Sequence, residues 1–151
     1  MYPFNAPRIC VTRYKLSSSE TSSPSPTESR KRVLIVDDDP KTVKSFRLAL
    51  EDSGLYEVDT FVDPLVALMN FKPSYYNLIL MGVKLSQMNS VELYSQIKNV
   101  DDKAKVCFMC TYTLEDKAMM EQFPSLETEC FIPKPIEIGT LLKILETQLL
   151  K

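Results

Sequence analysis

Histidine is missing from all 151 residues. Its absence excludes imidazole metal ligands, Ser-His triads and any phosphohistidine carried by the chain itself. No apolar run approaches the ~18 residues that a membrane span requires. Residues 1–16, MYPFNAPRICVTRYKL, also lack the unbroken apolar stretch of about 7–15 residues found in a signal peptide. A cytoplasmic location is the expectation. Charge of one sign is not in excess either: 18 basic residues stand against 20 acidic ones, a net of −2. That balance excludes a nucleic-acid binder working through a general positive field. Proteins or small ions are the expected partners, with no nucleic acid and no membrane.

What is present is ordinary for one soluble domain with one core, 44% apolar and 25% charged. The chain has four cysteines. Cys107 and Cys110 form C-x-x-C inside the run Val106-Cys107-Phe108-Met109-Cys110. In a strand, side chains three apart point to opposite faces, so these two thiols cannot meet. No helix N-terminus is signalled there to lower a thiol pKa. The expectation is buried core cysteines acting as small apolar filler, without disulfides.

Residues 17–31, SSSETSSPSPTESRK, contain nothing apolar and cannot bury enough surface to offset their ordering entropy. Residues 1–16 carry aromatics without a period and read as a loose tail, with a short docking peptide as the alternative. A disordered tail over 1–31 is therefore expected, followed by one domain over 32–151. From Arg32 an alternation begins. Val33-Leu34-Ile35-Val36 has the mark of a strand buried on both faces. Asp39 is a natural N-cap and Pro40 a natural first residue for a helix presenting Val43, Phe46 and Leu50, which Gly54 stops. Tyr56 to Phe61 alternates as a more exposed strand, and Asp63-Pro64 repeats the cap signal. Leu78 to Met81 is a third strand, followed by a helix through Val91, Leu93, Tyr94 and Ile97. Val106 to Cys110 is a fourth strand, and a short helix is expected over 113–123. Phe131-Ile132 is a brief fifth strand, and Ile136 to Leu150 a last amphipathic helix. Five strands alternating with five helices predict an α/β fold, a five-stranded parallel sheet with helices on both faces. The domain ends where the chain ends, so a stand-alone domain without an output domain is expected.

In such sheets ligands sit outside the carboxyl ends of the strands. Strand one delivers Asp37 and Asp38 there, strand four Thr111, and strand five Lys134 followed by Pro135. Adjacent carboxylates are costly unless a cation neutralises them, and hard oxygens of this kind suit Mg²⁺. A hydroxyl and an ammonium opposite could hold phosphoryl oxygens during a transfer. Alternatively the Asp triplet is an exposed acidic helix start favoured by the dipole. Lys134, set between two prolines at a strand end, is expected to pair with Asp37 or Asp38, with a surface lysine as the alternative.

The segments VLIVDDDP, YNLILMGVKLSQMNSVEL, VCFMCTY and FIPKPIEI, in this order and spacing, resemble the response-regulator receiver family over about residues 32–151. The resemblance implies a flavodoxin-like (βα)5 fold and a place in two-component phosphorelay signalling. It implies Asp37 and Asp38 as the acidic pair that helps hold Mg²⁺, Thr111 as the switch hydroxyl and Phe131 as the switch aromatic. Lys134 would be the phosphate-contacting lysine, and Lys134–Pro135 a cis bond. It also implies a protein partner, a histidine kinase or an output protein. The face of helix four, strand five and helix five is the candidate homodimer surface.

One position breaks the pattern. The phosphoacceptor aspartate that ends strand three is here Gly82, which offers neither nucleophile nor metal ligand; a register shifted by two reaches Lys84, which offers no carboxylate. Ser86 replaces the usual proline of the next loop and Ser90 the usual glycine. Gly139 sits in the last helix at about 1 kcal/mol against alanine. The expectation is a pseudo-receiver with no catalytic residue, at most weak Mg²⁺ binding and no enzymatic activity. Two alternatives stand beside it: a working receiver whose acceptor is Ser86 or Ser90, and a D-x-D phosphohydrolase built on Asp37 to Asp39.

Overall fold

The structure, a computed structural model, describes residues 30–111, 113, 117, 118, 121 and 130–151. The expected tail lies outside these residues as far as position 29. The helix expected over 113–123 also lies outside them, apart from Thr113, Lys117, Ala118 and Glu121.

Five strands form one parallel sheet: β1 (Lys31–Val36), β2 (Tyr56–Phe61), β3 (Leu78–Gly82), β4 (Val106–Cys110) and β5 (Cys130–Pro133). Their order is β2-β1-β3-β4-β5, which puts β1 and β3 side by side at the centre. β1 starts one residue before the expected domain boundary, with the Lys31 amide donating to the Leu55 carbonyl. The described helices are α1 (Pro40–Asp52), α2 (Pro64–Met69), α3 (Ser90–Val100) and α4 (Ile138–Leu150), the last starting two residues after Ile136.

The caps act as the sequence signals. Asp39 accepts the Lys41 amide at 3.1 Å and the Thr42 hydroxyl at 2.8 Å, with Pro40 at the first helical position. Asp63 does the same for α2, accepting the Leu65 amide at 2.9 Å ahead of Pro64. Gly54, at φ +79°, takes the left-handed conformation that lets the chain turn from α1 into β2. α2 ends early, because the Asn70 side chain and backbone both donate to the Val66 carbonyl and close the last turn.

Strand alternation sorts the core into two layers. Val33, Ile35, Leu78, Leu80, Met109 and Ile132 meet α1 and α4 on one face. Leu34, Val36, Ile79, Met81, Phe108 and Cys110 meet α2 and α3 on the other. β2, at the edge, buries only alternate residues.

The cysteine expectation is corrected here. Cys107 and Cys110 do face opposite layers, and Cys110 remains a buried thiol. Cys107, however, forms a disulfide with Cys130. The two are register partners on adjacent parallel strands, so their side chains leave the same face with Cα atoms 4.5 Å apart. That separation lies within the range a disulfide spans.

Candidate functional site

Continuing the β1–β3 register one step beyond Val36↔Met81 brings Asp37 beside Gly82. Asp37 is a buried carboxylate, 1% exposed, anchored where its amide donates to the Phe61 carbonyl. One oxygen, Oδ1, accepts the Asp39 amide at 2.9 Å. The other, Oδ2, accepts the Lys134 ammonium at 2.8 Å. Lys134 reaches it from the end of β5, across three strand spacings of about 4.8 Å each. Its own amide is fixed to the Cys110 carbonyl at 2.8 Å, and the bond to Pro135 is cis, as the resemblance implies.

The span is bridged because Gly82 leaves room. A Cβ placed on Gly82 would stand 2.7 Å from Asp37 Oδ2 and 3.1 Å from its Cγ. The Asp37 carboxylate thus leans into the space a side chain at 82 would need, and the oxygen that leans is the one Lys134 binds. Burial pushes the Asp37 carboxyl above the usual carboxylate range, and the hydrogen bonds from Lys134 and the Asp39 amide offset only part of that rise. Asp39, in contrast, is held below the usual range by the Thr42 hydroxyl and the Lys41 amide.

The expected acidic pair is split. Asp37 is buried and committed on both oxygens, whereas Asp38 is exposed. Among the described residues no three Asp, Glu, Cys or His side chains converge to hold a metal. Mg²⁺ asks for a near-octahedral oxygen set. Gly82 supplies no ligand, which leaves Asp37 and Asp38 as the carboxylates at this end of β1. Asp39, the other carboxylate of the D-x-D reading, accepts the Lys41 amide and the Thr42 hydroxyl as the cap of α1.

Thr111 follows β4 and is exposed. Phe131 is half-buried, its ring 5.6 Å from that of Phe108, which in turn lies 5.5 Å from Tyr94 on α3. The loop after β3 is folded onto the domain: Met88 is buried, Gln87 takes φ +62°, and Asn89 caps α3 by accepting the Val91 amide at 2.7 Å. Ser90, a substitute acceptor in one reading, is fully buried and donates its hydroxyl to the Val83 carbonyl. Ser86 is exposed. The disulfide and the buried role of Ser90 were not found from sequence. Cys130 preceding Phe131-Ile132 was the available signal for the first, once β4 and β5 are set in register.

Residues 33–146 match the family described as response regulator receiver domain. The chain is 27% identical over 119 residues to the polar-differentiation response regulator DivK of Brucella anthropi, covering 79% of this chain and 96% of that protein. It is 28% identical over 112 residues to the transcriptional regulatory protein CrdR of Helicobacter pylori, covering 74% of this chain but only 52% of CrdR. Among solved structures, a CheY-like receiver domain protein from Methanospirillum hungatei superposes with a TM-score of 0.65 at 29% identity. That match covers 80% of this chain and 94% of that one. The chain therefore belongs to the response regulator receiver domain family of two-component signalling.

Proposed function

We propose that this chain is a pseudo-receiver, a signalling module that works by binding another protein and not by accepting a phosphoryl group. The observation that carries this reading is the occupied space above Gly82. The family's acceptor carboxylate would stand there, and here the Asp37 carboxylate fills it while bound to Lys134. The ammonium that would meet a phosphoryl group is already neutralising a buried carboxylate. The residues resembling a magnesium pair bind Mg²⁺ weakly at most, since Gly82 supplies no ligand and the Lys134 ammonium already sits on Asp37 Oδ2.

In this reading Thr111 and Phe131 no longer report phosphorylation, and Phe131 belongs to the surface that a partner touches. Among the described residues that surface comprises β5 and α4. It suits a histidine kinase, an output protein or a second copy of the chain, working in the cytoplasm. Among the described residues no helix is long and apolar enough to cross a membrane.

Intact-mass measurement after incubation with acetyl phosphate and Mg²⁺ tests the reading. The expected result is no phosphoryl adduct on the native chain. A stable adduct overturns the proposal, and its mapped position names the acceptor. Ser86 is the serine to examine first, because Ser90 is buried and its hydroxyl is engaged.

A further inference from the structure

Among the described residues β5 is a four-residue edge strand, hydrogen-bonded to the sheet through β4 alone, and Pro133 brings no N–H to that ladder. It is nevertheless tied at both ends. At the far end Lys134 donates its amide to Cys110 and its ammonium to Asp37. At the near end Cys130 is bonded to Cys107. Cys107 is fully buried in the layer beneath α1 and α4, whereas Cys130 is half-buried at the edge. Cys130 is therefore the sulfur that an incoming thiolate reaches. Phe131, the next residue, faces the opposite layer and packs on Phe108.

We propose that the Cys107–Cys130 bond is a reversible thiol–disulfide switch that sets how firmly the start of β5, and Phe131 with it, is held against β4. To form the bond, the two thiols give up two protons and two electrons to a disulfide oxidant such as oxidised glutathione, which leaves as two thiols. To break it, one thiolate of a dithiol reductant attacks Cys130 Sγ, and Cys107 departs and takes up a proton. The second thiol of the reductant then displaces Cys130, closing the reductant's own disulfide. In a reducing compartment the dithiol is the resting form, and oxidation is the signal.

Two sulfurs that share a bond of about 2.05 Å must stand roughly 3.5 Å or more apart once they are only in contact. Cys107 is fixed by packing on every side, so the adjustment falls on Cys130 and the edge strand. Any effect on partner binding rests on the protein-binding reading above. The loosening of β5 does not.

The test uses the full chain equilibrated with oxidised glutathione or with dithiothreitol. Free thiols are counted by maleimide mass labelling, and β5 is followed by amide exchange and by the Phe131 ring resonances. Oxidation is expected to remove two thiols from the count taken on the unfolded chain and to slow exchange at the Ile132 amide, which the register points at β4, by about ten-fold or more. Cys130→Ser should exchange fast under both conditions; if that variant fails to fold, the oxidised and reduced native chains carry the comparison alone. An unchanged thiol count overturns the proposal, and so does a disulfide that leaves Ile132 exchange and the Phe131 ring shifts unaltered. Phosphodonor labelling of the same samples would overturn the pseudo-receiver reading without touching the switch.

Discussion

Asp37 Oδ2 stands 2.7 Å from the point where a side chain on Gly82 would begin. Real Cβ contacts do not come this close, so any residue but glycine must move the carboxylate. Moving it stretches the 2.8 Å bond to Lys134 or the 2.9 Å bond to the Asp39 amide. Gly82→Ala is therefore expected to cost about 1–3 kcal/mol, the range for forcing extra volume into a packed site. In an Asp37→Ala background the same substitution should cost at least about 1 kcal/mol less, because the obstacle is gone. Urea denaturation of the four proteins measures this coupling. Strict additivity would mean that Asp37 does not occupy the space.

Gly82→Asp adds a carboxylate beside Asp37 and Asp38. Without metal the variant should be less stable than the native chain at neutral pH, and like-charge repulsion should make that deficit shrink as the carboxylates are protonated. The new carboxylate also offers Lys134 a second partner and supplies the missing ligand. Millimolar Mg²⁺ should then raise the variant's melting temperature more than the native chain's, and acetyl phosphate should label residue 82. A folded variant indifferent to both would place the loss in the loop carrying Ser86 and Ser90 as well.

Ser90 is fully buried, and its hydroxyl is the tie between α3 and the Val83 carbonyl. Ser90→Ala should lower stability by about 1–2 kcal/mol, since the carbonyl loses its partner away from water. Ser86→Ala, at an exposed position, should fall within about 0.5 kcal/mol of the native chain. Equal thermal shifts in the two variants would contradict this division of roles.

The alkaline limb of stability should report Tyr76. Burial first, and then the neighbouring Asp59 carboxylate, which accepts the phenol hydrogen at 2.7 Å, drive its ionisation far above the usual tyrosine range. A tyrosine whose folded pKa is raised contributes fully below the unfolded value of about 10. That contribution is lost as pH rises toward the folded value. Tyr76→Phe should cost about 1 kcal/mol at pH 7 and flatten the decline above pH 10. Tyr56, raised by burial and by Glu146, adds a smaller slope of the same sign. Denaturation series between pH 7 and pH 11 would show whether the two curves converge as expected.

Much of the fold could be read from local chemistry. β2 and β4 lie where the alternation and the apolar run put them, and Asp39-Pro40 and Asp63-Pro64 open helices because cap and proline act within one turn. The pairing of Lys134 with an aspartate was also legible, since both side chains sit at strand ends. Which aspartate, and where it leans, was not: that depends on the volume left by Gly82, which only packing reveals. The Cys107–Cys130 bond was hidden for a related reason. Spacing within one strand says which faces two cysteines take, but a partner on the next strand is fixed by register, here set by a ladder across 23 positions of sequence.

The bond between Lys134 and Asp37 joins positions 97 residues apart. During synthesis Asp37 leaves the ribosome long before its cation exists. A nascent chain holding β1 to β4 can assemble most of both core layers, yet it must either keep the end of β1 wet or bury a lone carboxylate at a cost of several kcal/mol. The acidic pocket thus penalises every partial product that lacks β5, and ties completion of the sheet to arrival of the last strand. One ion pair thereby couples the first strand of the sheet to the last.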